Sequence, residues 1–188
     1  MILVLDNYDS FVETLARYIR EAGFATEIVR SDVLSQEDIA HAKPEAIVMS
    51  PGPYGPDRAG ICRDLPSLFP KLPMLGVCLG HLAIAENYGA RTVPARSPIH
   101  GRSTKTQHDG SHLFVGVPNP FLAGRYHALI SDIEGTDLVS TAWSNDELMA
   151  FRHPQHPHFG VQFHPESLLT EGGRAIVRNF LTSTDVMQ

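Results

Sequence analysis

Met74-Leu75-Gly76-Val77-Cys78-Leu79-Gly80-His81-Leu82-Ala83-Ile84-Ala85-Glu86-Asn87-Tyr88 changes character at its fifth residue. Met74 to Val77 is a short, continuous apolar run of the kind that forms a strand buried on both faces. Leu79 to Tyr88 reads as a helix, and Gly76 and Gly80 flank the junction. A strand feeding directly into a helix is one half of a strand–helix repeat.

The pattern recurs towards the N-terminus. Ile2 to Leu5 is a buried-type strand, broken by Asp6-Asn7-Tyr8-Asp9-Ser10. Phe11, Leu15, Tyr18 and Ile19 then recur at helical spacing. Asp9 or Ser10 is a suitable cap, Glu13 is placed for a capping box, and Gly23 is a suitable stop. Thr26 to Val29 reads as a strand, Gln36 to Ala42 as a short helix and Ala46 to Met49 as another buried strand. Ser50-Pro51-Gly52-Pro53-Tyr54-Gly55-Pro56 can neither extend a strand nor start a helix, which makes it a constrained loop. This alternation predicts an α/β fold with a flavodoxin-like, mostly parallel open sheet and helices on both faces. From Arg91 to Ser140 the grammar changes to short β-like runs. Gly101-Arg102-Ser103, His108-Asp109-Gly110 and Pro118-Asn119-Pro120 read as turns between them, so antiparallel strands are expected at the edge of the main sheet. Gly160 to Phe163 reads as a final strand, and a helix is expected from about Gly173 to Leu181. No repeat or linker interrupts the chain, and residues 1–188 are expected to form one domain.

Composition narrows the class. The 188 residues are 43% hydrophobic and carry a formal charge of −6, ordinary for a globular domain and unlike the basic stripe of a nucleic-acid binder. Two cysteines, Cys62 and Cys78, do not make a disulfide scaffold and suit a reducing compartment. The N-terminus has no basic segment ahead of its short apolar run, as a signal peptide would. No segment approaches the roughly 18 apolar residues that span a bilayer. These features predict a cytoplasmic protein with neither nucleic acid nor membrane among its partners.

Three segments directly follow predicted strands, and in an open α/β sheet ligands bind at the carboxyl ends of the strands. Gly76-x-Cys78-x-Gly80 has the form of a nucleophile elbow. There the helix dipole favours the reactive thiolate, and the N–H of Leu79 points at a developing oxyanion. The same residues also fit a buried core cysteine at a helix start. His164-Pro165-Glu166 can supply a base and the acid that orients it, or simply a strand-end histidine beside a capping acid. Pro51-Gly52-Pro53 is a stiff loop able either to aim a second N–H at the oxyanion or merely to connect two elements. His81 lies three residues after Cys78 but has no adjacent acid, and is read as structural. His153-Pro154-Gln155-His156-Pro157-His158 is the densest group among ten histidines. Its prolines forbid a helical ligand face, so no metal site is expected and a solvated hairpin loop is.

Taken together, Ser50-Pro51-Gly52-Pro53, Gly76-Val77-Cys78-Leu79-Gly80-His81 and Gly160-Val161-Gln162-Phe163-His164-Pro165-Glu166-Ser167 resemble the class I, or triad, glutamine amidotransferases, in that family's order and over almost the whole chain. Asp6-Asn7-Tyr8-Asp9-Ser10-Phe11, His100-Gly101, His108-Asp109-Gly110 and Arg125-Tyr126-His127 further resemble the small subunits of anthranilate and aminodeoxychorismate synthases. The resemblance implies hydrolysis of L-glutamine through a cysteinyl thioester, with Cys78, His164 and Glu166 catalytic and no cofactor in this chain. It also implies ammonia delivery to a larger chorismate-binding synthase subunit. By the same resemblance, Gly52 and Leu79 supply oxyanion donors, and Pro53, Tyr54, Leu82, Ala128 and Leu129 complete the glutamine site. Two positions depart from the family pattern: Leu82 stands where glutamine is usual, and Ala128 where serine is usual. Neither replaces a side-chain hydrogen bond to substrate, so a catalytically impaired regulatory subunit of the same complex is the alternative. A free-standing hydrolase of another γ-glutamyl compound is a further one.

Overall fold

In the computed structural model, which describes residues 1–185, Ile2–Asp6 forms β1 and is buried along its whole length. Strand alternation explains how both faces are covered. Ile2 and Val4 pack with Val12, Leu15 and Ile19, whereas Leu3 and Leu5 pack with Ile39, Ala83 and Ile84. The same division recurs in β3 (Ala46–Met49) and β4 (Met74–Val77). Ala46, Val48, Leu75 and Val77 face the first cluster, and Ile47, Met49 and Met74 face the second. Helices α1 (Val12–Glu21) and α5 (Gly173–Asp185) supply the first layer; α2 (Gln36–Ala42) and α4 (Leu79–Asn87) supply the second. A short α3 (Leu65–Leu68) adds Leu65 to the second layer.

With β2 (Thr26–Arg30) and β9 (His158–Val161), the parallel part of the sheet has the order β2-β1-β3-β4-β9. This is the flavodoxin-like order expected from the sequence. Four antiparallel strands extend it beyond β9: β8 (Glu147–Arg152), β7 (Val139–Ser144), β5 (Arg91–His108) and β6 (Phe121–Asp132). Because β3, β4 and β9 run the same way, the segments that follow them emerge at one edge of the sheet. Among the described residues no helix is long and apolar enough to cross a membrane.

Several local expectations need correction. Gly101-Arg102-Ser103 is not a turn; it lies inside the 18-residue strand β5, which pairs with β6 on both sides of a register shift. Gly101, at φ +72°, absorbs that shift as a bulge, a conformation a glycine adopts without strain. The entry to α1 carries no capping box. Asp9 Oδ2 instead accepts a hydrogen bond from the Phe11 N–H at 2.7 Å, while Glu13 is an exposed partner of Arg20. The capping box belongs to α2, between Ser35 and Asp38. The last strand begins two residues earlier than expected, at His158, and ends at Val161, and α5 continues to Asp185.

Urea unfolding will separate these contributions. Leu15→Ala, which opens a void under α1, is expected to lower stability by about 2–5 kcal/mol. Ser35→Ala should lower it by about 1 kcal/mol, and Glu13→Ala by less than about 0.5 kcal/mol.

Candidate active site

Cys78 occupies the junction between β4 and α4 with φ +50° and ψ −97°, a conformation that side chains rarely adopt. Close packing around the turn enforces it. A Cβ on Gly76 would lie 2.3 Å from the Gly80 carbonyl oxygen, and one on Gly80 would lie 2.6 Å from Met49 Cβ. The backbone N–H of Cys78 donates to the Val161 carbonyl at 2.8 Å, tying the elbow to β9. The sulfur consequently sits above the sheet at the start of α4, where the first N–H groups of the helix are unpaired.

The segment after β9 brings His164 to the same edge. Its backbone is pinned twice: the N–H donates to the Gly124 carbonyl at 3.0 Å, and the carbonyl accepts from Thr170 Oγ1 at 2.6 Å. The imidazole Nδ1 lies 2.7 Å from Glu166 Oε1, and both side chains are buried. Nε2 makes no hydrogen bond of good geometry, which leaves it as the nitrogen available to Cys78. Burial opposes a charge on the ring. The neighbouring Cys78 sulfur and the hydrogen-bonded Glu166 carboxylate outweigh that and lift His164 to about 10. Phe11 and Tyr126 hold the ring in place, with centroids 5.5 and 4.8 Å from it.

A cavity of about 450 Å³ opens over Cys78. It is lined by every residue expected to touch substrate: Gly52, Pro53, Tyr54, Leu79, Leu82, Ala128 and Leu129. His100, Tyr126 and His127 also line it, although the sequence marked them only as part of a resemblance. His127 is neutral there, because burial and the adjacent Arg125 push it down to about 4. Arg125 Nε can only donate, so His127 Nε2 accepts from it at 2.9 Å, and Nδ1 donates to the Leu129 carbonyl at 3.0 Å. Arg125 is in turn paired with the buried Glu147. This chain fixes the backbone at Ala128 and Leu129 and so shapes one wall of the cavity.

Other candidate groups lie elsewhere. His81 is buried against Phe151, with ring centroids 4.7 Å apart, and burial drives it down to about 3. Cys62 is buried beside Asn7, and burial pushes its thiol up to about 12. The 153–158 segment does join two antiparallel strands, but it is not the solvated loop expected. His153 and His158 are buried, the three histidine rings pack around Tyr88, His153 Nδ1 accepts two backbone N–H groups and both His158 nitrogens are hydrogen-bonded. Among the described residues, no group of three or more His, Cys, Asp or Glu side chains is placed to hold a metal ion.

An elbow cysteine beside a histidine–carboxylate pair on a flavodoxin-like sheet defines a class of protein. The model of the class-I glutamine amidotransferases matches residues 3–184, and the chain belongs to that family. Anthranilate synthase component 2 of Methanothermobacter thermautotrophicus is 44% identical over 96% of this chain and 98% of its own length. The figures for aminodeoxychorismate synthase component 2 of Escherichia coli are 44%, 96% and 99%. The bifunctional protein TrpGD of Thermotoga maritima is also 44% identical, and this chain spans 32% of it. Among solved structures, a GMP synthase subunit protein from Thermoplasma acidophilum, described as putative, superposes with a TM-score of 0.89 at 28% identity, covering 99% of this chain and 94% of that one.

A histidine raised on folding stabilises the fold fully below about 6.5, and that contribution is lost as the pH rises through about 10. In an NMR titration, His164 is expected to stay protonated well above the ordinary histidine range. Glu166→Gln should move its midpoint down towards 6.5, and an unmoved midpoint would contradict the electrostatic role given to Glu166.

Proposed function

We propose that this chain hydrolyses L-glutamine and passes the ammonia to a larger chorismate-binding synthase subunit. The observation that carries this reading is the hydrogen-bonded His164–Glu166 pair beside Cys78, which itself lines the cavity. Cys78, as the thiolate beside the His164 imidazolium, attacks the carboxamide carbon of glutamine. The tetrahedral oxyanion is met by the backbone N–H groups of Gly52 and Leu79. His164, as imidazolium, protonates the departing nitrogen, and ammonia leaves behind a γ-glutamyl thioester. Water, deprotonated by His164, then cleaves the thioester to glutamate and restores Cys78. Glu166 holds the imidazole in one tautomer and offsets its charge throughout.

The contact with the synthase is assigned to the face around the cavity mouth, with the segments Asp6–Phe11, Ser50–Pro56 and His100–Asp109 as its candidates. Tyr8 and Tyr54 expose half of their surface there, and the half-buried Asp9 interacts electrostatically with both His164 and Glu166. A partner seated on the first segment would therefore press against the residues that hold the catalytic histidine. The synthase, rather than this chain, sets which aminated chorismate product forms.

One observation favours a second reading. Leu82 and Ala128 line the cavity and offer no side-chain hydrogen bond to an amino acid, as a subunit that had lost glutamine binding would. The two readings separate in a complex of the chain with its synthase partner, supplied with chorismate and either glutamine or ammonium. With an active triad, both nitrogen sources give product, and Cys78→Ser abolishes only the glutamine route. If ammonium alone works with the unaltered chain, the regulatory reading holds. Leu82→Gln with Ala128→Ser is expected to lower the KM for glutamine by about tenfold, since each restored hydrogen bond contributes about 0.5–1.5 kcal/mol; an unchanged KM would refute the weakened-site account.

A further inference from the structure

The register of the sheet places one more side chain against the nucleophile. Gly76 pairs with Gly160 and Val77 with Val161, so Cys78 and Gln162 are the next neighbours beyond the ends of β4 and β9. Both backbones are held there. Cys78 N–H donates to the Val161 carbonyl, and Gln162 N–H donates to the Met149 carbonyl, each at 2.8 Å. The Gln162 side chain is completely buried, and its Nε2 lies 3.7 Å from Cys78 Sγ, within hydrogen-bond range for sulfur. Its Oε1 has no hydrogen-bond partner. A glutamine kept only for packing would be replaced at less expense by an apolar side chain of the same volume, because a buried acceptor without a partner is destabilising.

We propose that Gln162 is a fourth member of the catalytic group, with its carboxamide N–H donating to the sulfur of Cys78 and stabilising it as the thiolate. The inference rests on the glutaminase reading and adds a donor to it. Two steps use the same bond. Before attack, it favours the ionised sulfur beside the His164 imidazolium. During thioester cleavage, the bond from the glutamyl carbon to sulfur breaks, its electron pair returns to sulfur, and the N–H meets the charge that appears. In the acyl-enzyme the sulfur is neutral, so the bond is weakest there and strengthens as the thiolate departs. The amide is also a donor without charge, so it stabilises the thiolate without competing for the proton that His164 carries.

The test follows the sulfur rather than turnover. The rate of Cys78 alkylation by iodoacetamide is measured against pH in the full chain, with peptide mass spectrometry separating Cys78 from Cys62. The other ionisable groups at the site (His164 and Glu166 behind the sulfur; His100, Tyr126 and His127 across the cavity) are the same in every sample. Gln162→Met keeps the length and apolar volume and removes the donor. It is expected to shift the alkylation midpoint upwards by about one pH unit, because a charge-assisted hydrogen bond is worth roughly that much. It should also lower the glutamine-dependent kcat of the complex by about tenfold, with KM changed by less than about twofold. A folded Gln162→Met protein with an unmoved midpoint overturns the proposal. A second measurement needs no substitution: the carboxamide ¹⁵N and ¹H signals of Gln162 in the unaltered chain should titrate with the same midpoint as alkylation, and signals that stay fixed across it overturn the proposal. Either failure would leave intact the loss of glutamine-dependent product in Cys78→Ser, so the donor and the nucleophile are tested separately.

Discussion

The strained backbone at Cys78 is the constraint on which the rest of the site depends. A residue at φ +50° between a buried strand and a helix persists only if its surroundings leave it no alternative. The surroundings here are two glycines with no room for a Cβ and a hydrogen bond from Cys78 to β9. Holding the turn tightly lifts the sulfur clear of the sheet and aligns it with the amino end of α4. It also sets Cys78 next to the very strand whose continuation carries His164 and Glu166. One geometric requirement thus fixes the Cys78 sulfur relative to β9, and so to the segment that carries His164 and Glu166.

Such a requirement needs a rigid platform, which the two-faced parallel sheet supplies. β1, β3, β4 and β9 are buried throughout; alternate side chains of β1, β3 and β4 enter two separate apolar clusters, and Phe159 and Val161 of β9 join the first. Neither cluster can relax without disturbing strands shared with the other. The antiparallel extension serves another purpose. Through Arg125, Glu147 and His127, β6 and β8 hold the Ala128–Leu129 wall against the cavity, and Gly124 anchors the backbone of His164. The sheet's parallel half therefore positions Cys78, His164 and Glu166, and its antiparallel half shapes one wall of the adjoining cavity.

The parallel half was legible in the sequence because its signals are local. Short apolar runs such as Met74–Val77, which feeds directly into a helix, and Ile2–Leu5, which turn residues break, announce buried strands with little dependence on distant contacts. The convergence of the 50–56, 76–81 and 164–166 segments followed from parallel topology alone, and the residues expected around the cavity from Gly52 to Leu129 do line it. The antiparallel half was less legible because long-range pairing decides it. Gly101 has the composition of a turn residue, and only the partner strand β6 makes it a bulge within an 18-residue strand. Glu13 has the right spacing for a capping box, yet the chain enters α1 through Phe11, whose ring packs on His164. Gln162 stood within a recognised motif, but its contact with Cys78 depends on the register between β4 and β9, and no spacing along the chain encodes that register.

The central claim is that Cys78, His164 and Glu166 form one glutamine-directed nucleophilic site. Its most direct measurement is covalent labelling of the assembled complex with a glutamine analogue that carries a chloroketone in place of the carboxamide, followed by peptide mass spectrometry. The account predicts a single adduct on Cys78 that glutamine suppresses, that slows in His164→Ala and that is absent in Cys78→Ser. Labelling at Cys62, or a folded complex that takes up no label at Cys78, would contradict it.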